Sequence, residues 1–185
     1  MSPSPSILDT LSQMFSQSLQ VLSRPSVATF EELENKGTLR EALIYVLVAA
    51  VVTGLLGTGS SATGFLSSVI GTLAGFLVFT YLVYYVGQNQ GGSGSLDQVA
   101  YTFALFWAPI NVIFSALGFL LVITVLGILL LPLLALAALA VNVYFAYLAV
   151  QSSMNLRERG KIWLTLVAAF LGALVVSLLT AALLR

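Results

Sequence analysis

The charged residues of this 185-residue chain are confined to a few short blocks, and that placement restricts its fold more than any other feature. Asp9, Arg24, Glu31, Glu32, Glu34, Lys36, Arg40 and Glu41 precede residue 42, and Arg157, Glu158, Arg159 and Lys161 form a second block. Asp97 and Arg185 complete the set. A lone charge at the centre of a membrane helix costs about 3 kcal/mol on insertion scales. The charge-free stretches 42–57, 65–87, 99–151 and 162–184 therefore read as hydrocarbon-embedded, in an all-α integral membrane protein. The first 23 residues lack a basic start and a continuous apolar run, so the first span is expected to be retained rather than cleaved as a signal peptide.

The stretch 99–151 is 53 residues long, whereas one crossing takes about 20 residues, so it holds two spans. Gly118 and Gly127 weaken a helix and Pro132 suits a helix start, which puts the expected break between 118 and 132. The apolar piece 119–131 is then a helical extension, a re-entrant stretch or an interfacial segment. The spans become 42–57, 65–87, 98–118, 132–151 and 162–184, within a transmembrane domain of residues 41–185 that follows a cytoplasmic helical segment, 1–40. With five spans, Arg24, Lys36, Arg40, Arg157, Arg159 and Lys161 share one face and Arg185 takes the other. Four spans would divide the basic residues three against four. The bias of Lys and Arg toward the cytoplasm favours five, with the N-terminus cytoplasmic and the C-terminus outside or lumenal.

Local signals fit these limits. Thr38-Leu39-Arg40-Glu41 and Ser95-Leu96-Asp97-Gln98 are capping boxes before the first and third spans. Residues 88–95, rich in Gly, Ser and Gln, read as a short flexible cytoplasmic loop, and 58–64 as a turn on the opposite side. No internal repeat is visible, which argues against inverted-repeat transporters.

In the N-terminal segment, Ile7, Leu8, Leu11, Met14, Phe15, Leu19 and Leu22 recur at helical intervals, which predicts an amphipathic helix. It either lies against the cytoplasmic leaflet or a partner, or packs on the protein's own bundle. A second short helix is expected after Arg24-Pro25, opened by Thr29-Phe30-Glu31-Glu32. Its acidic residues suit a solvated helix start better than a hard-cation site.

The sequence contains neither Cys nor His, so thiolate and imidazole metal sites, Ser-His-Asp and Cys-His nucleophile systems and disulfides lack their essential atoms. No metal or cofactor is expected. A net charge of zero gives no global field for nucleic acid, which is not an expected partner. Inside the spans the polar groups are amides and hydroxyls, without the carboxylate or basic group that ion- and proton-coupled carriers usually need. Asn111 and Asn142 suit either interhelical hydrogen bonding or a polar solute or headgroup. Pro109, flanked by Trp107 and Asn111, removes a backbone bond and is expected to kink the third span, as fixed geometry or as a hinge. Small residues repeat every four positions at Ser67, Gly71 and Gly75, at Ala138, Asn142 and Ala146, and at Ala169, Ala173, Ser177 and Ala181. Such stripes permit close helix contact. Tyr81, Tyr84 and Tyr85 suit interface anchors.

Leu22-Ser23-Arg24-Pro25 followed by Phe30 and Leu33, and the third-span stretch Ala100-Tyr101-Thr102-Phe103-Ala104-Leu105-Phe106-Trp107-Ala108-Pro109, resemble the Yip family of Ypt/Rab-interacting membrane proteins. The fourth span ending Tyr147-Leu148-Ala149-Val150-Gln151 and the basic turn after it are similar too. The resemblance implies five spans, a cytoplasmic N-terminus and, in eukaryotes, membrane trafficking through Rab-type GTPases on endomembranes. Only about forty residues precede the first span, which looks more like the bacterial branch, in the plasma membrane and without Rab partners. Two functions follow as expectations. One is a non-enzymatic organiser that binds membrane proteins or its own copies through the N-terminal helices, Arg24 and the turn bearing Arg157, Arg159 and Lys161. The other is a conduit for a small solute or lipid at Trp107, Pro109, Asn111 and Asn142. An intramembrane enzyme lacks an acid, a base or an activated nucleophile.

Overall fold

The computed structural model describes residues 6–57 and 61–183, without the side chains of 125, 126, 177 and 179–183. Part of the turn expected over 58–64, Arg185, and the side chains of Ser177 and Ala181 lie outside the described residues. Among the described residues all regular structure is helical: α1 (Ile7–Ser23), α2 (Val27–Leu33), α3 (Leu39–Gly57), α4 (Ala62–Asn89), α5 (Leu96–Val122), α6 (Val125–Ser153) and α7 (Arg159–Leu183). Five of them, α3 to α7, are long and apolar enough to cross a bilayer. The three longest have 27 to 29 residues, about 40 Å at 1.5 Å per residue, so their ends pass beyond a hydrocarbon core of about 30 Å.

The central helix is α5, which packs against α3 on one side and α6 on the other, while α4 pairs with α7 and closes against α3 and α5. Its buried side chains include Tyr101, Phe103, Phe106 and Ile110, interleaved with Ala100, Ala104 and Ala108, so that large residues fill space that small ones leave. Phe103 and Phe106 continue into neighbouring rings at Phe79, Phe30 and Phe145, with centroid separations of 5.6, 6.1 and 5.7 Å.

Hydroxyl and amide caps set the helix starts. Ser95 and Gln98 cap each other's backbone in a full capping box. At α3, Glu41 accepts from both the N–H and the hydroxyl of Thr38 (2.6 and 2.9 Å). Asp97 of α5 accepts from the Leu39 N–H at 2.8 Å, so its charge sits on the positive end of the α3 dipole and ties the two starts together.

Three expectations are corrected. The break between the third and fourth spans falls at Ile123 and Thr124, within the expected 118–132, but Pro132 lies inside α6 rather than at its start. The Thr124 hydroxyl accepts from the Gly127 N–H at 3.0 Å and starts the helix eight residues before the proline, which a membrane helix tolerates. The segment 119–131 thus extends both helices, and a Cβ at Gly127 would collide with the Leu121 carbonyl oxygen, so the hairpin requires glycine there. Secondly, α2 opens at Ser26, whose hydroxyl accepts from the Thr29 N–H at 3.1 Å, and Thr29 is an interior residue bonded to the Arg24 carbonyl. Thirdly, the loop 88–95 is pinned rather than flexible. The Ser93 N–H donates to the Met154 carbonyl, the Gln88 amide to the Gly94 carbonyl, and the Asn155 amide to the Ser93 hydroxyl (3.1, 2.7 and 3.1 Å). A Cβ at Gly94 would overlap the Ser153 carbonyl, so glycine here serves close packing.

Both expected readings of α1 bear on its two faces. The helix docks on the bundle, against α5 and α3, but through Thr10, Met14, Gln17, Ser18 and Val21, a face that is mostly polar. Ile7, Leu8, Phe15 and Leu19 are exposed.

Candidate functional site

Two regions gather the side chains capable of recognition. The first is the polar end, where α1, α2, the 88–95 loop and the turn after α6 meet the starts of α3, α5 and α7. Phe30 and Leu33 of α2 are fully buried and place Glu34 over the end of α6. The Ser152 hydroxyl donates to Glu34 at 2.6 Å, and the Gln98 amide reaches Glu34 at 3.4 Å and Asn35 at 2.9 Å. Burial pushes the Glu34 carboxyl above the usual glutamate range, the Ser152 bond opposes that rise, and the nearby Glu31 charge adds to it. A buried charge persists only with such partners. On the other side of the cap, Tyr101 donates to Gln17 at 2.6 Å, and Ser18 and Tyr45 share a bond of 3.0 Å.

The expected partner-binding residues are at or beside this end. Arg157 is exposed on the turn between α6 and α7 and Arg159 is exposed at the start of α7, while Asn155 before them adopts a left-handed backbone (φ 54°) that closes α6. Lys161 pairs with Glu158 at 2.9 Å in an exposed contact. Arg24 is exposed between α1 and α2. Among the described residues, the side chains of Arg24, Arg40, Arg157 and Arg159 have no hydrogen-bond or ion-pair partner, so their donors are free for another molecule.

The second region is a cavity of about 530 Å³ between α4, α5, α6 and α7. Of the four expected core residues it brings Trp107 and Asn142 together, while Asn111 and Pro109 are not among its walls. Helix α5 continues through Pro109. Neither amide donates across helices: Asn111 donates to the Trp107 carbonyl (2.7 Å) and Asn142 to the Ala138 carbonyl (2.9 Å), each four residues back in its own helix. Members of the small-residue stripes, Gly75, Ala138, Ala146 and Ala173, line this same cavity. A Cβ at Gly71 or Gly75 would meet nothing within 4 Å, so the α4 stripe opens space instead of joining two helices. Among the described residues, no three His, Cys, Asp or Glu side chains gather as a metal site.

The Glu34, Gln98 and Ser152 cluster and the Gln17–Tyr101 bond were not legible in the sequence as a site. Glu34 sits in an acidic run that resembles a solvated helix start, and Ser152 follows the more conspicuous Gln151. The available signal was the pair Ser152-Ser153, polar residues closing an otherwise apolar span.

Five bilayer-length helices with a hydrogen-bonded polar cap define a multi-pass integral membrane protein. The Yip1 domain family model matches residues 19–179, from within α1 to the last turns of α7, and the chain belongs to the Yip family. No curated protein and no solved structure matches it.

Proposed function

We propose that this protein is a non-enzymatic organiser of the membrane, which recruits partners to its polar end. The observation that carries this reading is the set of exposed arginines beside a hydrogen-bonded cap, whose side chains no partner within the described residues engages. Arg24, Lys36, Arg40, Arg157, Arg159 and Lys161 belong to this end, and the bias of basic residues toward the cytoplasm orients it there, with the C-terminus on the opposite side. Arginine forks of this kind bind carboxylates and phosphates in pairs of hydrogen bonds, which suits an acidic partner segment. The partner is another membrane protein or a second copy. A Rab-type GTPase applies only in a eukaryotic cell, on endomembranes; a bacterial plasma membrane is the other setting.

In-cell photo-crosslinking from the exposed position 160 is the test. A discrete protein adduct, lost on alanine replacement of Arg157, Arg159 and Lys161, is the expected result. Unchanged adducts and localisation in that triple variant would remove the proposal. The second reading, a conduit, draws on the cavity at Trp107 and Asn142. It predicts that flux of a solute or lipid into reconstituted vesicles falls when Asn142 is replaced by leucine.

A further inference from the structure

We infer that α1 is an interfacial helix whose apolar stripe is seated in the lipid leaflet at the polar end, taking neutral and anionic phospholipid alike. The stripe is Leu8, Leu11, Phe15, Leu19 and Leu22, which at 3.6 residues per turn share an arc of about 80°. Leu8, Phe15 and Leu19 are 77%, 56% and 53% exposed, while Leu11 and Leu22 at the edge of the arc pack partly against the core. The adjoining side of the helix is the docked face, from Thr10 to Val21, and the remaining side carries Asp9, Ser12, Gln13, Ser16, Gln20 and Ser23. One side of α1 thus meets protein, one is apolar and one is polar.

Two observations say what covers the apolar side. The first is direction. The Gln20 amide donates to Glu32 at 3.2 Å, and Glu32 pairs with Lys36 in an exposed contact, so the side of α1 that carries Gln20 faces water. The centre of the stripe lies about 140° around the helix from Gln20 and so points away from that charged surface. The second is level. Helix α1 is held by the hydroxyls of Tyr101 and Tyr45, through Gln17 at 2.6 Å and Ser18 at 3.0 Å. Those tyrosines stand about 8 and 9 Å past the starts of α5 and α3, and helical side chains lean back toward the N-terminus. With 19 residues α3 is about 28 Å long, so its start lies at the edge of a hydrocarbon core of about 30 Å. The two hydroxyls are therefore at the headgroup boundary, where interfacial tyrosines sit, and α1 beside them continues the lipid-facing surface of the spans. An amphipathic helix at this level buries its apolar side about 5–10 Å into the boundary with the acyl chains. Charge decides which lipids it takes. Between Ser6 and Ser23 there is no Lys or Arg, so insertion rests on apolar burial and not on anionic headgroups. The recruiting role uses the arginines and this seat uses none, so either proposal can fail alone.

The test exploits the absence of cysteine: Phe15→Cys, Leu19→Cys, Ser12→Cys and Ser16→Cys each give the full chain one attachment point for a nitroxide. With one copy of the chain per phosphatidylcholine nanodisc, power-saturation EPR is expected to show accessibility to oxygen exceeding that to a water-soluble nickel chelate at 15 and 19, and the reverse at 12 and 16. The same pattern is expected when the nanodiscs contain phosphatidylglycerol. Replacing Leu8, Phe15 and Leu19 together by alanine keeps helix propensity and every docked residue. It should speed hydrogen exchange over α1 about tenfold or more, with the centre of α5 unchanged, since burial of a single leucine side chain is worth about that factor. Nickel accessibility at 15 equal to that at 16 would overturn the inference, showing a stripe in water. Low accessibility to both reagents at 15 and 19 would overturn it as well, showing a stripe covered by protein. So would an oxygen-over-nickel pattern that appears only with phosphatidylglycerol, or exchange over α1 that the triple replacement leaves unchanged.

Discussion

Replacing Ser152 by alanine removes the shortest hydrogen bond to the Glu34 carboxylate, 2.6 Å, in a place where Glu34 is only 7% exposed. Gln98 is then the remaining side chain bonded to it, at 3.4 Å and shared with Asn35. A hydrogen bond to a charged group contributes about 1.5–3 kcal/mol, and an unmet buried acceptor keeps its desolvation cost. At 1.4 kcal/mol per factor of ten, Ser152→Ala should raise the population of undocked N-terminal segment about 10- to 100-fold. Hydrogen exchange in detergent or nanodiscs reads this as lost protection over α2 and the adjoining part of α1, with the centre of α5 unchanged. Glu34→Gln supplies the control: the amide has no charge to keep buried, so Ser152→Ala in that background should cost markedly less, a coupling typical of residues in direct contact. Unchanged protection in Ser152→Ala, or an equal effect of the mutation in both backgrounds, would refute the account of the cap as a buried, charge-assisted contact.

The raised Glu34 pKa gives the same cap a pH dependence. The folded state holds this proton more tightly than the unfolded chain, so the contribution is full below the ordinary glutamate range and is lost as pH rises through the raised value; Glu34→Gln should flatten that slope of protection against pH. Asp9, whose pKa is lowered by its bonds from Ser6, acts in the opposite sense: its support of the α1 start is present above the ordinary aspartate range and fades as pH falls through the lowered value, as helicity of the first turn would report. Tyr101→Phe leaves the Gln17 oxygen without its donor and should destabilise the docked α1 by about 1–3 kcal/mol, seen as faster exchange around Gln17. Gly94→Ala forces a methyl into the Ser153 carbonyl and should cost about 1–3 kcal/mol in thermal unfolding, whereas Gly71→Ala, which faces open space, should be close to neutral or mildly stabilising.

The five spans were readable because insertion selects on charge and length, and both are properties of a sequence window. What sequence could not supply was direction around a helix axis. In α1 the apolar set divides: Met14 is buried in the bundle while Leu8, Phe15 and Leu19 stay exposed, and Gln17 and Ser18 dock because Tyr101 and Tyr45 offer hydroxyls at that height. Pro132 misled for a related reason: its penalty is real, but the Thr124 cap and the tight turn at Gly127 decide where α6 begins. Asn142 was conspicuous as an amide in an apolar span. That its oxygen would remain unpaired beside Trp107 depends on the placement of four helices, which no local pattern encodes. The cap contacts Glu34–Ser152 and Gln98–Asn35 join residues 118 and 63 positions apart, beyond the reach of any window.

Those separations also fix an order of events during synthesis. The Ser18–Tyr45 bond can form once α3 exists, Tyr101–Gln17 requires α5, and Glu34–Ser152 requires the end of α6. At about 5–20 residues per second, the 118 residues between Glu34 and Ser152 take about 6–24 s to make. For that interval α2 lacks its seat on α6, and Glu34 lacks the Ser152 hydroxyl. The closing of the cap is therefore a late event: the Glu34–Ser152 contact cannot form before the end of the fourth span has been made.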